Sequence, residues 1–318
     1  AGSYVTQSLT TSSLAEGNHD LYIKVVDSEG FKSSGSNDCP SSNQLDYQVD
    51  LTPPSFPASS DISIASTGVD STPTFTVSSL NSSDTVYVYS DSSCSNLLAQ
   101  ATVSNSGTWV GLTTSTLSEG ITSFYIKVKD KALNINSQCP GTPQATYELI
   151  NPPSSSQVTL TNPGSSTGTV TTPTIQVTGL ASGDIINLYT ASGCSGSSVG
   201  QGTVASGSTS VSITTSELPH GVKSLYARKT KNSVQTNCPS SPQVVYTLKP
   251  HVPSGITLAS PGSTPNVDST PEFTVSGVYS GYTVELYSSH GNTTCHTLIG
   301  SETSSGSTVD ITTDALPA

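Results

Sequence analysis

Self-similarity at a spacing near 100 residues constrains this chain more than any single motif. Ser71-Thr72-Pro73 returns as Thr171-Thr172-Pro173 and as Ser269-Thr270-Pro271, in steps of 100 and 98 residues. Leu14-Ala15-Glu16-Gly17, Leu117-Ser118-Glu119-Gly120 and Leu218-Pro219-His220-Gly221 form a second series. Within a few residues they lead into Tyr22-Ile23-Lys24-Val25, Tyr125-Ile126-Lys127-Val128 and Tyr226-Ala227-Arg228-Lys229. A fixed period means one structural element repeated along the chain, and ~100 residues suffice for each copy to bury its own core. Pro53-Pro54, Pro152-Pro153 and Pro250-His251-Val252-Pro253 punctuate the ends, where proline stiffens a short linker. The expected organisation is an extended array. Residues 1–54 form the C-terminal half of one repeat, 55–153 and 154–253 are complete repeats, and 254–318 form the N-terminal half of another.

Registering Thr10-Thr11 on Thr312-Thr313 makes Ala1–Glu16 equivalent to Thr303–Ala318, so the sequence opens and closes at the same place inside a repeat. We read it as a window of a longer tandem protein. The alternative is complementation, in which the leading half-repeat of one chain completes the trailing half-repeat of the next. The duplicated strand counts against that alternative.

About seven short strands fit within a repeat. In 55–153 they fall near Asp61–Ala65, Thr74–Val77, Thr85–Tyr89, Leu98–Val103, Thr108–Leu112, Ser123–Asp130 and Ala145–Ile150. Phe75 and Val77, Val86 and Val88, and Phe124, Ile126 and Val128 alternate with polar neighbours, the period of a half-buried strand. Ile175/Val177 with Ile186/Leu188, and Phe273/Val275 with Val284/Leu286, repeat the pattern. Lys229 stands where Val128 points inward, so the strand is expected to end early in the third repeat, or the amine to snorkel to the rim.

Composition agrees with an all-β chain. Ser and Thr number 61 and 45 of 318 residues, Met is absent and charged residues are 10%. Helical domains draw on Met, Glu and Lys, whereas Thr, Val, Ile and Tyr suit a pleated surface. The net charge of −12 argues against nucleic acid and anionic membrane surfaces as partners, because both need basic patches. No stretch reaches the ~20 apolar residues that span a bilayer, and Ala1-Gly2-Ser3 opens no signal-peptide pattern, so a signal or anchor is expected outside this sequence.

Six cysteines occupy two repeat positions. Cys94, Cys194 and Cys295 follow an apolar strand, and Cys39, Cys139 and Cys238 precede a proline. Spacing favours the intra-repeat disulfides Cys94–Cys139 and Cys194–Cys238, leaving the partners of Cys39 and Cys295 outside the window. Cys94–Cys238, across a repeat junction, is the runner-up. Disulfides imply an oxidising compartment. Isolated thiols without a histidine pair do not make a metal site, and we expect no metal or cofactor.

Asp27 and Asp130 share a turn position and could contribute to calcium at a domain edge, although Asp also caps turns unaided. Thr230 holds that position in the third repeat. His19, His220, His251, His290 and His296 sit at non-equivalent, mostly loop positions. Neither a GxSxG elbow nor a paired-acid motif occurs, so the chain is not expected to be an enzyme. Tyr22, Tyr125 and Tyr226 open the strongest strand and resemble the tyrosine corner that ties two sheets together, a structural role. Asn81-Ser82-Ser83 and Asn292-Thr293-Thr294 match the N-glycosylation pattern but arise easily in such a composition.

Together, Leu117–Gly120 with Phe124–Asp130, Tyr189–Cys194 and the Pro-Pro linkers resemble the bacterial immunoglobulin-like domains strung along large secreted adhesins and surface proteins. Family members often show Asp-x-x-Gly-Asn after the first block. Here the turn reads Asp130-Lys131-Ala132-Leu133-Asn134 and Asp27-Ser28-Glu29-Gly30-Phe31, which puts a turn-bound ion in doubt. The resemblance implies tandem immunoglobulin-like β-sandwiches forming an extracellular, non-catalytic stalk, fibre or sheath, whose partners are neighbouring copies of itself. The alternative is an adhesin whose exposed loops, for instance Asp91–Asn96 and His290–His296, bind a host protein or glycan. A host-surface ligand could also be held through a region not present here.

Overall fold

The computed structural model describes residues 5–33, 40, 42–264, 266–289 and 297–316. Two compact units are present: Ala1–Asn151 with Lys231–Asn237, and Pro152–Thr230 with Cys238–Ala318. Cys39, Cys295, His290, His296 and Asn292 lie outside the described residues.

In the first unit β1 (Gly17–Leu21) and β2 (Leu45–Val49) form an antiparallel hairpin. They are followed by β3 (Ile62–Ser63), β4 (Thr67–Gly68), β5 (Thr74–Val77), β6 (Thr85–Tyr89), β7 (Leu97–Thr102), β8 (Val110–Thr113), β9 (Gly120–Lys129) and β10 (Ala145–Leu149). One sheet has the order β3-β5-β8 and the other β4-β10-β9-β6-β7. Alternation explains what lies between them. Phe75, Val77, Val86, Val88, Leu112, Phe124 and Ile126 are buried as one cluster, while their chain neighbours face outward. The outer faces are laced by threonine pairs such as Thr74–Thr113 at 2.8 Å and Thr85–Thr102 at 3.0 Å, hydroxyl to hydroxyl. Such cross-strand pairs give the threonines a structural use.

The next repeat follows this plan. Its strands are β11 (Val158–Asn162), β12 (Thr167–Gly168), β13 (Thr174–Thr178), β14 (Ile185–Tyr189), β15 (Gly200–Thr203), β16 (Ser210–Thr214), β17 (Gly221–Lys231), β18 (Val234–Gln235) and β19 (Val244–Leu248). Sheet β11-β13-β16 faces β12-β19-β17-β14-β15 across a core that includes Ile175, Val177, Ile186 and Leu188. Then β20 (Gly255–Ser260), β21 (Glu272–Ser276) and β24 (Thr308–Thr312) make one sheet, and β22 (Thr283–Ser288) with β23 (Thr297–Thr303) another. These sandwiches, with short antiparallel strands and a first strand shared between sheets, are immunoglobulin-like.

Two expectations are corrected. The strand read as Asp61–Ala65 is only β3, which pairs antiparallel with β5, and a further short strand beyond it, β4, pairs parallel with β10. Gly68 permits the crossing, since a Cβ there would overlap the Tyr147 hydroxyl; at Gly168 a Cβ would come within 3.0 Å of Tyr246 Oη. The strand containing Lys229 does not end early, because pairing with β14 continues through Ile186↔Lys229 to Ile185↔Thr230. Lys229 is buried, its aliphatic stem filling the inward position one residue from the end of that ladder.

Candidate functional site

The chemistry of the molecule gathers at the strand ends. Cys94 lies in the β6–β7 loop and Cys139 in the β9–β10 loop, and the structure joins them as a disulfide with Cα atoms 5.6 Å apart. Cys194 and Cys238 are joined in the same way, also at 5.6 Å. Each link lies within one repeat, so the cross-junction pair Cys94–Cys238 is not formed. Antibody domains place a disulfide between the sheets instead. Here the facing positions of β5 and β9 hold Phe75 and Phe124, stacked with ring centroids 5.4 Å apart.

Asp91 organises the loop that carries Cys94. Its carboxylate accepts N–H bonds from Ser93 at 3.0 Å, Ser95 at 3.1 Å and Asn96 at 2.7 Å, with the hydroxyls of Ser93 and Ser95 in addition. These bonds, the Ser93 hydroxyl foremost and the Asn96 N–H next, hold the carboxyl well below the usual carboxylate range. All of them are local, so the carboxylate fixes loop shape. The equivalent residue is Ala191, and there only the backbone bond Cys194 N–H to Ala191 O, 3.2 Å, remains.

Asp27 and Asp130 act alike. Asp27 Oδ1 accepts from Glu29 N at 3.0 Å and Phe31 N at 2.8 Å, while Asp130 Oδ1 accepts from Asn134 N at 2.8 Å. Both carboxylates cap their own turns. Among the described residues, no three His, Cys, Asp or Glu side chains are grouped to hold a metal ion. Asp130 also borders a cleft of about 380 Å³ with Asp50, Asn81, Asp84 and Lys131. Asp84 and its repeat equivalent Asp184, both buried, are capping positions that no motif marks. Each accepts the N–H three residues upstream, Asn81 at 2.8 Å and Ala181 at 2.9 Å, and so caps the turn into β6 or β14. The 100-residue recurrence of Asp before a strand was the available signal.

Burial raises the Asp84 carboxyl above its ordinary value; the Asn81 N–H opposes this and Asp130 adds to it. A folded pKa above the unfolded one contributes stability at low pH that is lost as pH rises through the raised value. Asp84→Asn keeps an acceptor for Asn81 and cannot ionise. We expect it to raise the unfolding midpoint at pH 7 and to flatten the decline in stability above about pH 4. Thermal melts at several pH values check this, and an unchanged pH profile would count against it.

Tyr125 pairs with Tyr89 and Tyr226 with Tyr189 at the disulfide end of the sheet. Tyr226 is buried rather than facing solvent, and Tyr22 falls just beyond the end of β1, 44% exposed. A different tyrosine makes a long-range tie: Tyr147 on β10, whose hydroxyl donates to Asp70 O at 2.8 Å, and its counterpart Tyr246 on β19, which donates to Val170 O at 3.1 Å. Each pins the segment leading from β4 to β5 or from β12 to β13. Tyr47, Tyr147 and Tyr246 recur at steps of 100 and 99, the signal that marks them.

Of the histidines, His19 Nε2 lies 2.7 Å from Ala15 O. His220 packs edge-on to Tyr282 at 4.9 Å, and His251 lies 6.0 Å from Tyr279. Tyr279 and Tyr282 border a groove of about 340 Å³ that follows β22 past Thr283, Val284, Glu285 and Tyr287.

No protein-family model matches the chain, and no curated protein matches it. Solved structures that it resembles include a biofilm-associated protein BSP domain, 13% identical over 59% of this chain and 30% of that one, TM-score 0.22. A marsupial T cell receptor is 11% identical over 78% of this chain and 90% of that one, TM-score 0.33. The chain thus spans 30% of the length of the biofilm-associated protein. At these scores the likenesses carry no argument, and the fold assignment rests on the sheet order. Among the described residues no helix is long and apolar enough to cross a membrane.

Proposed function

We propose that this chain is a non-catalytic structural segment of a bacterial extracellular stalk, fibre or sheath, built from tandem immunoglobulin-like domains and needing no cofactor. The observation that carries the reading is one disulfide repeated at equivalent places in both complete sandwiches, closing 45 and 44 residues. Such links persist in oxidising surroundings and stiffen each domain without tying it to a ligand. Proline pairs between repeats and caps that use their own loop's donors are consistent with a scaffold whose polar groups serve shape. Immunogold electron microscopy with antibodies against residues 55–253 tests it. Label spread along filaments or stalks at one recurring spacing is expected, whereas label confined to a discrete tip would favour an adhesin head.

A further inference from the structure

The outward face of β6 and β9, in the complete second repeat, departs from the character of the whole chain. Acidic side chains outnumber basic ones by 22 to 10, yet Lys127, Lys129 and Lys131 stand at alternate positions along β9 and just beyond it. Phe124, Ile126 and Val128 turn into the core, so Tyr125, Lys127 and Lys129 turn outward. The strand registers set their neighbours. Tyr89 stands between Leu97 and Tyr125, Tyr87 between Gln100 and Lys127, and Thr85 between Thr102 and Lys129. The result is a grid that is aromatic at the disulfide end and cationic along β9. Both β6 and β9 are paired on each edge, so they offer a partner side chains rather than backbone.

These side chains are not consumed by the fold. Tyr87, Tyr89 and Tyr125 are half-buried, and Leu97 is 44% exposed. Lys129 Nζ lies 5.7 Å from the centre of the Tyr87 ring, which holds the ammonium on the sheet face. Among the described residues neither Lys127 nor Lys129 is ion-paired, whereas Lys231 is, to Glu148. Asp91, in the loop after β6, spends its carboxylate on the N–H groups of Ser93, Ser95 and Asn96. The third repeat is different. There Asn187 replaces Tyr87 and accepts a hydrogen bond from Gln201 Nε2 at 2.8 Å, and Tyr226 is buried, so that face is satisfied internally.

We propose that this face of the second repeat binds an acidic polysaccharide, a chain of uronic acid residues laid across β6 and β9. Tyrosine rings offer flat apolar surfaces to the C–H faces of pyranose rings, and their hydroxyls, with Gln100, Thr85 and Thr102, can bond to sugar hydroxyls. Lys127 and Lys129, ~7 Å apart along the strand, meet the carboxylates. The chain's charge of −12 repels a polyanion at long range, but at ~0.15 M salt that field fades within ~8 Å, so the two local ammonium groups decide. Because β6 and β9 have no free edge, the ligand is not an added strand. A chain of rings carrying regularly spaced carboxylates matches ring faces beside spaced ammonium groups. The inference goes beyond the stalk reading, which holds with or without it, and places binding on a sheet rather than on loops.

Isothermal titration of the full chain with oligogalacturonate, beside a neutral cello-oligosaccharide of the same length, tests the proposal. Oligogalacturonate is expected to bind roughly tenfold tighter or more, and its affinity to fall several-fold between about 0.05 and 0.3 M NaCl. Lys127→Gln/Lys129→Gln should weaken binding roughly tenfold and remove most of the salt dependence, whereas Lys127→Arg/Lys129→Arg retains both. Tyr87→Ala and Tyr89→Ala should each weaken binding several-fold with the salt dependence kept. Melts followed by the fluorescence of Trp109, just before β8 in this sandwich, show that each variant is folded. Lys223→Gln/Lys249→Gln removes the same charge from the third repeat and should bind as the wild type does. A wild type that does not bind oligogalacturonate, equal affinity for the neutral sugar, or an equal loss in the Lys223/Lys249 variant would each overturn the proposal. So would sedimentation showing that the wild type self-associates through this face and that Lys127→Gln/Lys129→Gln does not.

Discussion

Replacing Cys94 and Cys139 together by alanine is expected to cost the sandwich of residues 62–149 about 4 kcal/mol of stability. The link closes a 45-residue stretch that holds the whole of β7, β8 and β9. In the chain-entropy description a loop of that length removes about 4 kcal/mol of disorder from the unfolded state. For a domain near 100 residues the change corresponds to roughly 20 °C in the unfolding midpoint. The test is calorimetry of the double variant beside the wild type. One transition should fall by that amount while that of the sandwich containing Cys194–Cys238 stays in place. Reductant applied to the wild type should lower both. An unmoved midpoint in the variant would show that the loop is held by other means.

Phe124→Ala is expected to destabilise the same sandwich by a similar amount, about 4 kcal/mol. Phe124 is fully buried between the sheets and its ring stacks on Phe75, so truncation removes apolar area and leaves a cavity that close-packed neighbours cannot fill. Trp109, the single tryptophan, lies just before β8 in this sandwich, 59% exposed. Its fluorescence therefore reports unfolding of this repeat. In urea the Trp109 transition of Phe124→Ala should move to markedly lower denaturant with an unchanged slope. The core around Ile175 and Leu188 is a separate cluster and should unfold as before. A shift shared equally by both sandwiches would mean that the repeats fold as one.

Much of the architecture is legible before any coordinates, for a physical reason. Strands such as Thr74–Val77 and Thr85–Tyr89 bury one face, and a period of two in the residues has no other use. Features that depend on partners distant in sequence are harder to read. β3 and β4 are two residues each, too short for a period, and their division reflects a crossing between sheets that only Gly68 beneath Tyr147 reveals. Lys229 looks like a strand breaker because its charge is visible and its backbone partner Ile185–Ile186 is not. The most regular block draws attention to Tyr125, whereas the tyrosine hydroxyl that makes a long-range tie belongs to Tyr147, in a block whose recurrence is weaker. Asp84 is hidden by its ordinariness: an acid beside serines reads as loop, and only the Asn81 N–H that its carboxylate accepts makes it a cap.

The short parallel pairing of β4 with β10 sets how such a sandwich would respond to being pulled. Each sandwich is entered beside the strand by which it is left, and the two run in the same direction. Tension applied to opposite ends of such a domain slides the strands past one another, so the bonds between them are strained together rather than opened one by one. In the second repeat those bonds include Glu148 N–H to Ser66 O and Ile150 N–H to Gly68 O, both 2.9 Å. In the third they include Thr247 N–H to Ser166 O and Lys249 N–H to Gly168 O, both 2.8 Å. In each of these two sandwiches a pull from end to end would therefore load two residues of strand at once, and the pairing recurs from one to the next.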